Sequence, residues 1–134
     1  MVGKVVLDAS AFLAVANREP GADLIYPRLK ASIMSAVNAA EVLQKLAEKG
    51  MSHKKASEYL RQFVPEIADF DYRQAVLVAA MVPKTSPLDL SFADRACLAL
   101  GSLRGVSVLT GDQNWARIDL GIHIEVIRPV MIPV

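Results

Sequence analysis

The stretch KVVLDASAF at residues 4–12 is a β-branched run without polar alternation, cut off by a carboxylate and followed by small residues. A strand that is apolar on both faces must be covered on both, which is the situation of a parallel sheet between layers of helices. The pattern returns at residues 106–112, VSVLTGD, where a second β-rich run is followed two residues later by an acid and then a polar turn. In such sheets ligands collect beyond the carboxyl ends of the strands, where the order of connections reverses. Asp8 and Asp112, far apart in sequence, are therefore expected to line one crevice.

Helical covers are expected over residues 10–17, over 20–26 with a stop at Pro27, over 36–49 closed by Gly50, over 53–64 behind Ser52, from Asp71 to a stop before Pro83, and over 92–104. Short strands are expected at 32–35, 66–70, 106–110 and 123–128. KTSPLDLS (84–91) reads as a loop, TGDQN as a turn, and the apolar tail VIRPVMIPV, by its prolines, as an edge or terminus. Alternation of strands and helices over 134 residues predicts a single domain, 1–134. Its class is a three-layer α/β/α sandwich with a central, mainly parallel sheet of about five strands.

Several classes of function fall away. No apolar run approaches the roughly 18 residues of a membrane span, and the chain enters its first strand without the leader of a signal peptide, so a soluble cytoplasmic protein is expected. Fifteen basic residues against fourteen acidic ones leave a net charge of +1, which is silent on nucleic acid. The lone Cys97, between Ala96 and Leu98, cannot form an internal disulfide and reads as a buried small hydrophobe. His53 and His123 lack metal-ligand spacing, no phosphate-cradling glycine motif is present, and no serine–histidine pair suggests a nucleophilic triad.

The acids each carry a plain structural reading beside a chemical one. Asp8 suits an N-cap and Asp112 a turn. Asp94 lies in SFADRACLALGSL, apolar almost all round, where a helical projection puts it between Leu98 and Gly101. A capping box with Ser91 would account for it, and so would a metal ion. Glu41 falls with Gln44 and Glu48, away from the arc of Ala39, Val42, Leu43 and Leu46, which a solvated helix face explains; its setting VNAAEVL is uncharged, with Asn38 one turn earlier. Asp89 and Asp119 read as turn and surface residues. If the others converge, each pair of carboxylates at 4 Å costs about 4 kcal/mol at an effective dielectric of 20, and a divalent cation relieves it. Oxygen ligands select Mg²⁺ or Mn²⁺, and such a metal suits hydrolysis of a phosphate ester.

Four motifs in order, VVLDASAF, SAVNAAEVLQKL, LDLSFADRACLALG and VLTGDQNWARIDLG, resemble the PIN-domain ribonucleases of the VapC toxin type from end to end. The resemblance implies a metal-dependent endoribonuclease whose catalytic acids are Asp8, Glu41, Asp94 and Asp112, with Asp8, Asp94 and Asp112 as metal ligands. Ser10 and Thr110 would orient carboxylates or metal-bound water. It also implies a homodimer, an RNA substrate, and a cognate antitoxin that blocks the site. The glycine before Asp112 departs from many relatives. Trp115, Arg117 and Arg95 are candidates to touch RNA, against readings as packing and solvated residues.

Two rivals follow from the same pattern. A phosphatase or phosphoacceptor on a similar sheet would need a second aspartate where Ser10 stands, or adjacent acids before the first helix. An inactive PIN-fold binding or scaffold module would keep the fold without turnover.

Overall fold

The first strand, β1 (Val5–Leu7), is buried along its whole length in the computed structural model, which describes residues 3–127. Its side chains alternate between two cores: Val5 and Leu7 enter one, Val6 the other. The unalternating run is thus a strand covered on both faces, and the three-layer α/β/α arrangement follows from it.

From β1 the chain moves outward to β2 (Ser32–Ser35) and β3 (Glu66–Ala68), then crosses back to place β4 (Ser107–Thr110) and β5 (Ile124–Val126) on the other side. The five strands stand in the order β3-β2-β1-β4-β5, and every pairing is parallel. The direction of winding reverses at β1, so the crevice that such a reversal opens lies at the carboxyl ends of β1 and β4.

One face is covered by α1 (Ala9–Ala16), α2 (Ala22–Ile25), α3 (Ala36–Glu48) and α4 (His53–Phe63), which contribute Phe12, Ile25, Val42 and Leu60 to its core. Phe12, Tyr59 and Phe63 meet there, with edge-on geometry between Tyr59 and both phenylalanine neighbours in part. The other face is covered by α5 (Tyr72–Ala80) and α7 (Phe92–Arg104), with Val78, Leu98 and Leu100 buried against Val6, Ile33 and Val108. Gly101 lets α7 lie close on β4, because a Cβ there would collide with the Val108 side chain. Gly50, at φ +96°, follows the end of α3 as its sequence position suggests.

Several local expectations are refined. The α-helix near 20–26 does end before Pro27, at Ile25, but the chain keeps turning, and Pro27 sits in the first turn of a 3₁₀ segment, Tyr26–Ala31, where its missing N–H has no partner to lose. Part of the loop expected at 84–91 is wound into α6 (Val82–Thr85) and a 3₁₀ turn (Ser86–Leu88), each again with a proline near its start. The turn after β4 continues as a third 3₁₀ segment, Gln113–Arg117. The strands at 66–70 and 123–128 are shorter than expected, and residues 128–134 of the apolar tail lie outside the described residues. No helix among the described residues is long and apolar enough to cross a membrane.

Candidate active site

Asp8 is the residue at which β1 gives way to α1. Its backbone is extended and its side chain caps the helix, with Oδ1 accepting from the Ala11 amide at 2.8 Å. The capping reading is therefore correct, but it describes only part of what this side chain does. Ser10 donates to both carboxylate oxygens at 2.7 and 2.9 Å, and Thr110, at the end of β4, donates to Oδ2 at 2.5 Å. The two hydroxyls are themselves held by the next turn of chain: the Gly111 amide donates to Ser10 Oγ at 2.9 Å and the Asp112 amide to Thr110 Oγ1 at 3.0 Å. Each hydroxyl oxygen thus accepts from an amide while its own proton is donated to Asp8. The ends of the two central strands are locked together through that carboxylate.

Only 5% of Asp8 is exposed, and burial pushes its carboxyl up to about 6. The charge of Asp94 adds to the rise, while the bonds from Thr110, the Ala11 amide and Ser10 oppose it. Asp94 is raised as well, first by burial and then by Asp112; Ser91 and Arg95 act the other way. Asp94 makes the capping box: its amide donates to Ser91 Oγ at 3.1 Å and its Oδ2 accepts from the Ser91 amide at 2.9 Å. The capping box and the acidic neighbourhood coexist on one residue. Below it, Cys97 is fully buried and its thiol is raised well above the ordinary value by burial and by Asp8, Asp94 and Glu41. It stays a protonated hydrophobe, as expected.

Asp112 stands two residues past β4, where its side chain caps the 3₁₀ segment by accepting from the Asn114 amide at 2.9 Å. With Ser10, Gly111, Gln113 and Asn114 it borders an open hollow of about 460 Å³. Glu41 is exposed on α3, and its Oε1 accepts from Asn38 Nδ2 at 3.2 Å. Asn38 is 1% exposed and also donates to the carbonyl of Ala93 at 3.1 Å. Its own Oδ1 is buried and accepts from no described residue, a condition that typically costs ~1–3 kcal/mol.

The predicted residues are thus brought together unevenly. Asp8, Ser10, Thr110 and Asp112 form one hydrogen-bonded unit, Asp94 interacts electrostatically with Asp8 and Asp112, and Glu41 joins from α3 through Asn38. Among the described residues, no three His, Cys, Asp or Glu side chains form a ready-made metal cage. The donors are carboxylate and hydroxyl oxygens, and the burial and like charge that raise Asp8 and Asp94 are what a cation relieves. These residues fit a hard divalent ion. Asn38 was not among the expected site residues; its signal was a polar residue, one turn before an acid, in an uncharged stretch of helix. Of the candidate RNA contacts, Trp115 is fully buried in the core and Arg95 donates to the Val78 carbonyl at 3.3 Å, whereas Arg117 is exposed.

Comparison with known proteins extends this picture. The family model described as "PIN domain" matches residues 5–120. A sequence comparison with curated proteins finds no match. Among solved structures, the chain is similar to one in the DNA-bound VapBC of Salmonella typhimurium, at 19% identity and TM-score 0.69 over 92% of this chain and 98% of that one. It is similar to FitAcB from Neisseria gonorrhoeae at 19% identity and TM-score 0.69, over 90% of this chain and 95% of that one. It is also similar to Mycobacterium tuberculosis VapC20, described as a sarcin-ricin loop cleaving toxin, at 15% identity and TM-score 0.68 over 87% and 97% of the two chains. At these identities the likeness is one of fold.

Proposed function

The chain belongs to the PIN-domain family, and from that premise we propose that it is a divalent-metal-dependent endoribonuclease, the toxin of a toxin–antitoxin pair. The observation that carries this reading is Asp8: a buried carboxylate with neighbouring acids, clamped by two hydroxyls at the switch point of a parallel sheet. A fold needing only an N-cap at this position would not bury a carboxylate among other acids, where it is pushed up to about 6.

Asp8 and Asp94 would hold the metal most directly, with Asp112 and Glu41 completing the acid cluster. Mg²⁺ or Mn²⁺, when bound, supplies charge neutralisation, a more acidic water and a Lewis acid for the phosphodiester. The chain's own contribution is to fix the ligands: Ser10 and Thr110 direct their protons at Asp8, and the 111–112 amides direct the hydroxyls. Asp94 is steadied by its capping box at the first turn of α7. The hollow bordered by Ser10, Asp112 and Asn114 gives an RNA strand a polar approach to these acids.

Support for the biological role comes from the solved neighbours, which include VapBC assemblies, a complex described as toxin–antitoxin, and a toxin that cleaves the sarcin-ricin loop. On this reading the protein acts on RNA in the cytoplasm as a homodimer, and a cognate antitoxin silences it. The inactive scaffold is the reading to be beaten. Purified protein incubated with total RNA and Mn²⁺ should yield discrete fragments, and excess chelator or Asp8→Asn should abolish them. RNA left intact by folded protein under all conditions would favour the scaffold.

A further inference from the structure

We propose that Asn38 is a positioning residue that holds Glu41 and the first turn of α7 in fixed relation, so that the acid from α3 and the acid from α7 serve one site. This rests on the reading of the acids as a metal-dependent centre and adds to it a residue that carries no charge.

Asn38 and Glu41 are three residues apart on α3 and so lie on adjoining parts of its surface. The amide nitrogen of Asn38 donates twice, to Glu41 Oε1 and to the carbonyl of Ala93, the residue immediately before Asp94. Both partners are acceptors, which fixes the orientation of the amide: turned over, its oxygen would face a carboxylate and a carbonyl. The fixed orientation leaves Oδ1 buried without a described partner. Stability alone gives no reason to keep such a group, because an apolar side chain at a position 1% exposed would bury no unpaired oxygen. The double donation supplies the reason. Glu41 is exposed, and the Asn38 bond holds its carboxylate at the side of α3 from which its charge reaches Cys97 of α7. The other bond ties that carboxylate to the backbone that presents Asp94, 55 residues away in sequence from Asn38.

The test is a double-mutant cycle on Mn²⁺ affinity, read from the electron paramagnetic resonance of the free ion, with thermal unfolding as a check on folding. In the wild-type background Asn38→Ala is expected to weaken Mn²⁺ binding roughly tenfold, as removal of an orienting partner does. In a Glu41→Ala background the same change is expected to have little further effect, because the group that Asn38 positions is gone. If Asn38→Ala melts below the assay temperature, Asn38→Ser enters the same cycle; it retains one donor and is expected to bind Mn²⁺ between the wild type and Glu41→Ala. Equal losses in the two backgrounds, or no loss in a wild-type protein that binds Mn²⁺, overturn the positioning role alone. A wild-type protein that does not bind Mn²⁺ overturns the metal reading and this inference together.

Discussion

Thr110 Oγ1 donates to Asp8 Oδ2 at 2.5 Å, a bond that joins the ends of two adjacent parallel strands separated by 102 residues of chain. It places a hydroxyl proton on the buried carboxylate at the point where the winding of the sheet reverses. The bond favours the ionised acid and thus works against the burial that raises it.

Replacing Thr110 by valine keeps the branched shape and removes the donor. The Asp8 carboxyl is expected to rise further above about 6, as read by carbon NMR of the carboxyl group across a pH titration. Mn²⁺ affinity should fall by about 10- to 100-fold. Thr110→Ser, which restores the hydroxyl, should recover most of both.

The shift on Asp8 also makes the metal-free protein pH-sensitive. The folded-state value of about 6 exceeds the ordinary 3.8, so the native protein holds a proton that the unfolded chain has released. Stability from this group is present below 3.8 and lost as pH rises to about 6, and above that the ionised acid costs up to ~3 kcal/mol. Asp8→Asn, whose carbonyl can still accept from the Ala11 amide, should therefore be the more stable protein at pH 8 in chelator. The advantage should shrink at pH 4, and added Mn²⁺ should stabilise only the wild type. Urea unfolding at the two pH values measures all three effects; equal stability of the two proteins at both would contradict the assignment.

Ser91→Ala removes the hydroxyl that receives the Asp94 amide. About 1 kcal/mol of stability should be lost, the usual worth of such a cap, as seen in urea unfolding. Asp94 Oδ2 keeps the Ser91 backbone donor, so the acid should be loosened rather than released.

Gly101→Ala forces a methyl group against Val108, which is fully buried on β4. Overpacking of ~1–3 kcal/mol should outweigh the ~1 kcal/mol that alanine gains in a helix. The melting temperature should drop, and Val108→Ala added to Gly101→Ala should recover part of the loss.

The sequence announces Asp8 and Asp112 because an acid ending an unalternating strand is a local pattern, and the parallel sheet that unites them follows from the same pattern. Asp94 is visible because its helix has almost no polar face. Glu41 lies on the polar side of α3, so only the family resemblance singles it out. Asn38 escapes sequence reasoning because its meaning depends on Ala93, a contact made by tertiary packing of α3 on α7. Trp115 bears out its reading as a packing residue: an aromatic near the acids in sequence is turned into the core by the 3₁₀ segment that follows β4. The short 3₁₀ turns at 26–31 and 86–88 are hidden because proline reads as a stop, as at Pro27, or as part of a loop, as at Pro87, although it is well suited to a first turn.

The central claim, that the acids serve water-driven, metal-dependent cleavage of RNA, is tested most directly by the chemistry of the new ends. Fragments made by the purified protein in Mn²⁺ should carry linear phosphate and hydroxyl ends, since water is the nucleophile, and none should form in chelator. Ends bearing a 2′,3′-cyclic phosphate, formed by the neighbouring ribose hydroxyl and persisting in chelator, would contradict it.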